Sequence, residues 1–385
     1  MKCYLHIGTE KTGSTAIQRF LYLNRSVLAR CGCLYTTSSG SASNRALPVA
    51  AYNSNRRDDF TQKQAIHDDQ TLKMYQKSVV KALSQELAEL RTLFDVNCVV
   101  FSSEHIHSRL RTMEELDRLN RILRELGFDQ IAVIVYLREP ADAATSLYST
   151  AVKCGATDRR PPPPDNEYYR NLCDHRSTLL RYRDKFGPDA VVPRLYDRSE
   201  FINGSIIEDF MDAIGVDVPF AQCILPQREN PRLSATGLEL LRRINERIPA
   251  FLDNGSVNDL RGEIASYVGR YVSSGVRYTM PPEVRREYER AFANSNEWVR
   301  KEYFPERRKL FPTTYVSSSG QSQKGALGGH VTELAEMISA IWLDNAKATS
   351  QLQLSRSYRL ARRCSHAAQV VRRLTRRCTG PFRRP

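Results

Sequence analysis

The sequence predicts a three-layer α/β fold, with a central, mainly parallel sheet flanked by helices and a basic helical or disordered tail at the C-terminus. Three observations predict it. Strand-like and helix-like stretches alternate along the chain, the pattern of βαβ units. The first strand runs into a glycine loop, GTEKTGST from Gly8 to Thr15, and then directly into a helix. The stretch Ile131 to Leu137 is apolar throughout, as a strand covered on both faces must be.

The elements follow in order. Lys2 to Ile7 reads as a strand, Gly8 to Thr12 as a tight loop, and Thr15 to Arg30 as one helix carrying Ile17, Phe20, Leu21 and Leu28 on one side. Residues 36–62 are rich in Ser, Asn and Arg and read as a long surface excursion. Gln70 to Phe94 is an amphipathic helix, Asn97 to Ser102 a strand, and Thr112 to Leu126 a helix stopped by Gly127. After the Ile131 to Leu137 strand, Pro140 opens a helix running to about Lys153. Arg159 to Asp165 holds four consecutive prolines and reads as an exposed loop. Leu172 to Phe186 is a helix, and Ala190 to Tyr196 a strand that Pro193 assigns to an edge. Ser205 to Ile214 and Ser234 to Ile248 are helices. The stretch after Pro312 is linker-like, and Val331 to Asn345 resumes a helical pattern with Leu334, Met337, Ile338, Ile341 and Trp342. The expected organisation is a main domain over 1–312, a linker over 313–330, and a helical segment with an arginine-rich tail over 331–385.

The chain has 385 residues, 41% hydrophobic and 26% charged, enough for a substantial core. No run approaches the roughly 18 to 20 apolar residues that a membrane span needs. Nothing reads as a leader peptide, and a cytoplasmic location is the expectation. Nine cysteines at irregular spacing, Cys31 and Cys33 among them, read as free thiols. The net charge of +14 is uneven: ten arginines and no acid lie between Gln351 and Pro385, leaving +4 for the rest.

The loop nearly satisfies the phosphate-loop pattern G-x-x-x-x-G-K-[ST]. Gly8, Gly13 and Thr15 are in place, but Ser14 stands where the lysine belongs, and the nearby lysine is Lys11. Such a loop, between strand and helix, cradles phosphate with backbone N–H groups and the helix dipole. A Mg²⁺-dependent triphosphatase also needs an aspartate for the metal, whereas NCVVFS runs into Ser103 and Glu104. The loop therefore suits a donor with less charge to neutralise.

Lys11-Thr12-Gly13-Ser14-Thr15 resembles the 5′-phosphosulfate loop, K-T-G-[ST]-T, of the sulfotransferases that use 3′-phosphoadenosine 5′-phosphosulfate (PAPS). The second motif of that family is an arginine at the end of a later strand and a serine eight residues on. VIVYLREPADAATSLY supplies Arg138 and Ser146 at that spacing, about 125 residues beyond the loop. The resemblance covers residues 1 to roughly 312 and is nearest to bacterial members. It implies a phosphate-loop-like fold and PAPS as sulfuryl donor, with no metal required. Lys11 would stabilise the oxygen joining sulfur to the leaving 5′-phosphate, and Thr12, Gly13, Ser14 and Thr15 would hold that phosphate. Arg138 and Ser146 would hold the 3′-phosphate. The glycine-rich ending typical of cytosolic small-molecule members is absent, and Asn230 to Ser234 (NPRLS) is a candidate for the cofactor's surroundings.

The acceptor, a hydroxyl or amine, needs a base. FSSEHIHSR offers Glu104 first, His105 second and His107 third. If strand alternation continued, Glu104 would point away from both histidines. The resemblance implies a carbohydrate or glycolipid acceptor, lying over residues 36–62 and 153–175, where Tyr168, Tyr169, Arg159 and Arg160 could contact it. The arginine tail suits an anionic membrane face, which would make the protein peripheral at the inner side of a membrane, or a solubilising role. It lacks the interleaved aromatics of a nucleic-acid binder. The rival readings are a Mg²⁺-dependent small-molecule kinase with a variant loop, and a basic membrane- or nucleic-acid-binding protein with a vestigial nucleotide fold.

Overall fold

The computed structural model describes residues 1–54, 56, 58–227, 233–254, 256–272, 276–312 and 324–354. The chain forms two compact units. One comprises Met1–Ala151, Asp158–Pro231 and Tyr278–Ser317, and the other Val152–Thr157, Arg232–Arg277 and Ser318–Pro385. The second unit thus draws on both sides of position 312.

The strands are β1 (Lys2–His6), β2 (Cys33–Tyr35), β3 (Cys98–Ser102), β4 (Gln130–Leu137) and β5 (Val191–Leu195). The helices of the first half are α1 (Ser14–Leu23), α2 (Arg25–Arg30), α3 (Ala46–Ala50), α4 (Asp59–Lys63), α5 (Asp69–Leu93), α6 (Glu104–Arg109), α7 (Met113–Glu125) and α8 (Pro140–Lys153). They are followed by α9 (Glu167–Cys173), α10 (His175–Phe186), α11 (Ile206–Ile214), α12 (Ala235–Arg247), α13 (Ile264–Tyr271), α14 (Pro282–Tyr303) and α15 (Lys324–Leu354).

In the first unit the sheet order is β2-β3-β1-β4-β5, with every pairing parallel. β1 is central, Leu5 standing opposite both Phe101 and Val133. Period-two alternation sends Cys3, Leu5, Phe101, Val133 and Val135 to one face, against Leu83 and Leu87 of α5, Leu119 of α7 and Leu179 of α10. Tyr4, Val100, Ile134 and Tyr136 take the other, against Ile17, Phe20 and Leu21 of α1 and Phe210 of α11. Both faces are covered, giving the three layers a parallel sheet requires. The expected edge strand is β5, where Pro193 pairs only with β4, opposite Val135. β2, three residues long, is too short to show a pattern in the sequence.

Several elements differ from the sequence reading. The helix expected over Thr15 to Arg30 breaks at Asn24. That buried amide donates to the carbonyls of Phe20 (2.8 Å) and Ile224 (2.9 Å) and accepts from Ile224 N–H (2.7 Å), which ties the kink to a distant segment. Residues 36–62 are not a surface excursion. Leu47, Val49, Ala50 and Tyr52 are fully buried, and the polar Thr36, Ser39 and Asn44 are buried with them. Asn44 donates its backbone N–H to the Ser102 carbonyl and accepts from Ser102 N–H at its side-chain oxygen, and Glu86 receives the N–H and hydroxyl groups of both Thr37 and Ser38. The helix expected over Leu172 to Phe186 is two helices, because Asp174 leaves the first and caps the second at Ser177 N–H (3.1 Å).

In the second unit α12 buries Leu238, Leu241 and Ile244, and α13 buries Ile264 and Val268. α15 starts at Lys324, inside the expected linker. It buries Val331, Ala335 and Ser339, at spacing i, i+4, i+8, whereas the expected apolar face leaves Leu334 and Ile341 exposed. The remainder of the linker, 313–323, and the tail from 355 onward lie outside the described residues. The seven described cysteines are unbridged, and no helix among the described residues is long and apolar enough to cross a membrane.

Interior histidines, His6 and His175 among them, make the fold's stability depend on pH. His6 is fully buried with Nδ1 2.7 Å from Ser102 Oγ, and His175 donates from Nε2 to the Arg138 carbonyl at 2.8 Å. Burial lowers their pKa values to about 3 and about 4 respectively. As pH falls below ~6.5 the unfolded chain takes up protons that these native rings refuse, so stability is lost down to pH ~4 at up to about 1.4 kcal/mol per pH unit per histidine. Urea unfolding at pH 7, 6 and 5 should show this decline, and His6→Gln should flatten it. A profile equally steep in the variant would remove His6 from the account.

Candidate functional site

The carboxyl ends of β1, β3 and β4 meet at the loop between β1 and α1. The loop is anchored to β4 on its way out of the sheet: Tyr136 N–H donates to the Gly8 carbonyl (2.7 Å), and Thr9 N–H to the Tyr136 carbonyl (3.2 Å). Gly8 has φ +98°, and a Cβ there would lie 2.9 Å from the Cβ of Glu104. Gly13, at φ +77°, turns the chain into α1, and a Cβ there would press on the Tyr196 ring at 3.1 Å. Both positions need glycine for conformation and for space. Lys11 is left-handed too, at φ +67°, a costly geometry for a residue with a side chain and one that marks functional loops.

This backbone aims the lysine in two directions. Its carbonyl accepts from Arg138 Nη1 (2.8 Å), and its Nζ donates to Thr150 Oγ1 (2.7 Å). Thr150 donates in turn to the carbonyl of Ser146, one turn earlier on α8 (3.2 Å). The loop, the end of β4 and the turn of α8 from Ser146 to Thr150 are therefore one hydrogen-bonded assembly containing Lys11, Arg138 and Ser146. The Arg138 guanidinium also lies 5.3 Å over the Tyr196 ring. Within the loop, Thr12 Oγ1 (2.6 Å) and Ser14 Oγ (3.3 Å) both donate to the Thr9 carbonyl, and Thr15 is exposed at the start of α1. The hydroxyl protons of Thr12 and Ser14 hold the loop in shape, and within α1 the N–H groups find an acceptor, the Gly13 carbonyl, only from Ala16 onward.

The strand alternation expected through FSSEHIHSR does not occur, because β3 ends at Ser102 and α6 begins at Glu104. Helical spacing sends the three candidate bases to three environments. Glu104 sits against Gly8, half-buried, and accepts from Gln18 Nε2 of α1 (2.6 Å). His105 is held at a pKa of about 3 by burial and by the nearby Arg45 and Arg109 cations, so its ring stays neutral and is a poor proton acceptor. His107 is fully buried beside α10, Nε2 3.0 Å from Thr178 Oγ1, and burial and Arg181 keep its pKa well below the usual range. Of the three, Glu104 is the one packed on the loop.

Thr150, Gln18 and Tyr196 escaped the sequence reading. Spacing offers a signal for the first two, since Thr150 lies one turn after Ser146 and Gln18 one turn after Ser14; Tyr196 has none. Tyr168 reaches the loop, its hydroxyl donating to Glu10 Oε1 (2.7 Å), whereas Tyr169 is buried among Leu172 and Tyr288, and Arg159 and Arg160 are exposed. Asn230 to Arg232 lie outside the described residues. Ser234 caps α12, accepting from Gly237 N–H at 3.0 Å.

No family model matches the chain. An uncharacterized protein of Archaeoglobus fulgidus is 31% identical over 192 residues, 48% of this chain and 50% of that protein, so the chain spans about half the length of the curated relative it matches. The crystal structure of a sulfotransferase from Alicyclobacillus acidocaldarius superposes with a TM-score of 0.42 and 13% identity, over 77% of this chain and 94% of the other.

The close approach of Gly8 to Glu104 has a direct test. Gly8→Ala should cost roughly 1–3 kcal/mol in urea unfolding, combining backbone strain with the clash. Gly215→Ala, with φ +64° and nothing within 4 Å of its Cβ, should cost only about 1 kcal/mol. Equal losses would mean that the contact with Glu104 contributes nothing.

Proposed function

We propose that the protein transfers a sulfuryl group from PAPS to a hydroxyl, or an amine, of a carbohydrate or glycolipid acceptor. One observation carries this reading: two sequence motifs about 125 residues apart converge through the 2.8 Å bond between Arg138 and the Lys11 carbonyl, beside a carboxylate packed on the same loop. The residues fit a bisphosphate donor. Lys11 and Arg138 supply two cations at separate points, and the N-terminus of α1 supplies N–H groups and a favourable dipole.

The donor supplies an activated sulfuryl group whose bond to the 5′-phosphate oxygen breaks as the acceptor oxygen bonds to sulfur. The transition state for such transfer is loose by analogy with phosphoryl transfer, so charge builds on the leaving oxygen. Lys11 is positioned to stabilise that charge, exchanging its bond to Thr150 for one to the oxygen. Arg138 and Ser146 hold the 3′-phosphate. Glu104 takes the acceptor's proton, and the Gln18 amide fixes the carboxylate's orientation. In this reading residues 1–312 carry the reaction, and the tail confers attachment to an anionic membrane face.

Lys11→Ala should lower transfer from PAPS by about 10²–10³-fold, the usual loss of one charge-stabilising donor. Arg138→Ala should abolish measurable binding of adenosine 3′,5′-bisphosphate. Glu104→Gln should lower turnover about 10²–10⁴-fold while leaving that binding intact. EDTA should have no effect, and removal of residues 351–385 should spare both binding and transfer. Transfer from ATP that EDTA abolishes would replace this reading with the kinase one.

A further inference from the structure

A second feature lies beyond Tyr168. α9, the start of α10 and the turn after α6 enclose a half-open cavity of about 460 Å³. Three arginines line it, Arg111, Arg170 and Arg181, with Asn171, Ser177 and Thr178 between them. Two carboxylates share the wall, but both are engaged. Glu167 pairs with Arg111 (2.5 Å), and Asp174 accepts from Ser177 Oγ (2.7 Å) and Ser295 Oγ (2.8 Å). Arg170 and Arg181 form no ion pair among the described residues.

Arg181 is the unusual member. Its Nη1 reaches only the Arg111 carbonyl, at 3.5 Å, and its Nε and Nη2 are buried with no hydrogen-bond partner. Those two nitrogens form the side-on fork of a guanidinium, the pair that matches two oxygens of one carboxylate or sulfate. Leaving both unsatisfied inside a protein is expensive, so a turn of the guanidinium that presents this fork to an anion in the cavity relieves that cost. The cavity is also close to the loop. The Arg111 guanidinium lies 5.7 Å over the Tyr168 ring, and the Tyr168 hydroxyl holds Glu10 of the loop. One aromatic ring separates the two.

We propose that this cavity is an anion subsite that takes a carboxylate or sulfate group on a hydroxylated acceptor, while another hydroxyl of the same molecule reaches the β1–α1 loop. Arg181, turned toward the cavity it lines, grips the anion side-on, and Arg170 draws it to the mouth. The acceptor is therefore acidic, and the sulfuryl group is added to a molecule already carrying negative charge. That the cavity serves the acceptor rests on the transfer reading; that it binds an anion does not.

Calorimetric titration of the full chain with glucuronate, glucose 6-sulfate and glucose tests the inference. Both anionic sugars should bind roughly tenfold or more tightly than glucose, and Arg181→Ala should weaken them by a similar factor. Arg170→Glu, at an exposed position where folding is not at stake, should weaken them too, and neither variant should change the affinity for adenosine 3′,5′-bisphosphate. No preference for the anionic sugars, or binding indifferent to both substitutions, overturns the proposal. Loss of bisphosphate binding alone would remove the transfer reading and leave the cavity's chemistry standing.

Discussion

At Gly8 the β1–α1 loop crosses the start of α6 so closely that a Cβ would stand 2.9 Å from that of Glu104. The remaining geometry of the site follows from that crossing. With no side chain to hold the two segments apart, the loop stays pinned to β4 through Tyr136. Lys11 is left-handed and sends its carbonyl to Arg138 and its amine to Thr150. Gly13 then turns the chain into α1 against Tyr196. A carboxylate, a lysine, an arginine and the leading N–H groups of a helix are thus held by one short stretch of backbone. Groups held on rigid neighbouring elements lose little freedom when a ligand arrives.

The electrostatics of the region have a consistent direction. Lys11 donates to a hydroxyl, and Arg138 donates to a carbonyl and lies over an aromatic ring. Each of these three contacts orients a cation through a neutral group. The same logic separates the candidate bases. Arg45 and Arg109 oppose protonation of His105, and burial already disfavours the imidazolium. Glu104 has a neutral amide for its partner, which orients the carboxylate without consuming its negative charge.

The local features were legible where the chemistry is local. The β1–α1 loop could be read from Gly8, Gly13 and Lys11, because a strand, a turn needing positive φ and a helix start are all encoded within fifteen residues. The central strands and α5, α7 and α8 were equally visible, since burial imposes a period on contiguous sequence. Residues 36–62 misled because composition counts polar side chains as surface. Here Asn44 and Glu86 turn that polarity inward, onto β3 and the backbone of Thr37 and Ser38. Asn24 and Asp174 broke helices for a similar reason, their partners lying far away or across a cap.

By itself the sequence determined the layer architecture, the loop, and the places of Arg138 just after β4 and Ser146 on α8, because each depends on residue type and spacing along one segment. Only the tertiary structure decided which of Glu104, His105 and His107 adjoins the loop. That choice turns on where β3 stops and α6 begins, and on which distant groups surround each side chain. It also decided that Thr150 accepts a hydrogen bond from the lysine and that Arg181 lines a cavity while its fork is buried without a partner. Those relations join residues far apart in the chain, and no local pattern carries information about a contact that exists only after the layers have packed.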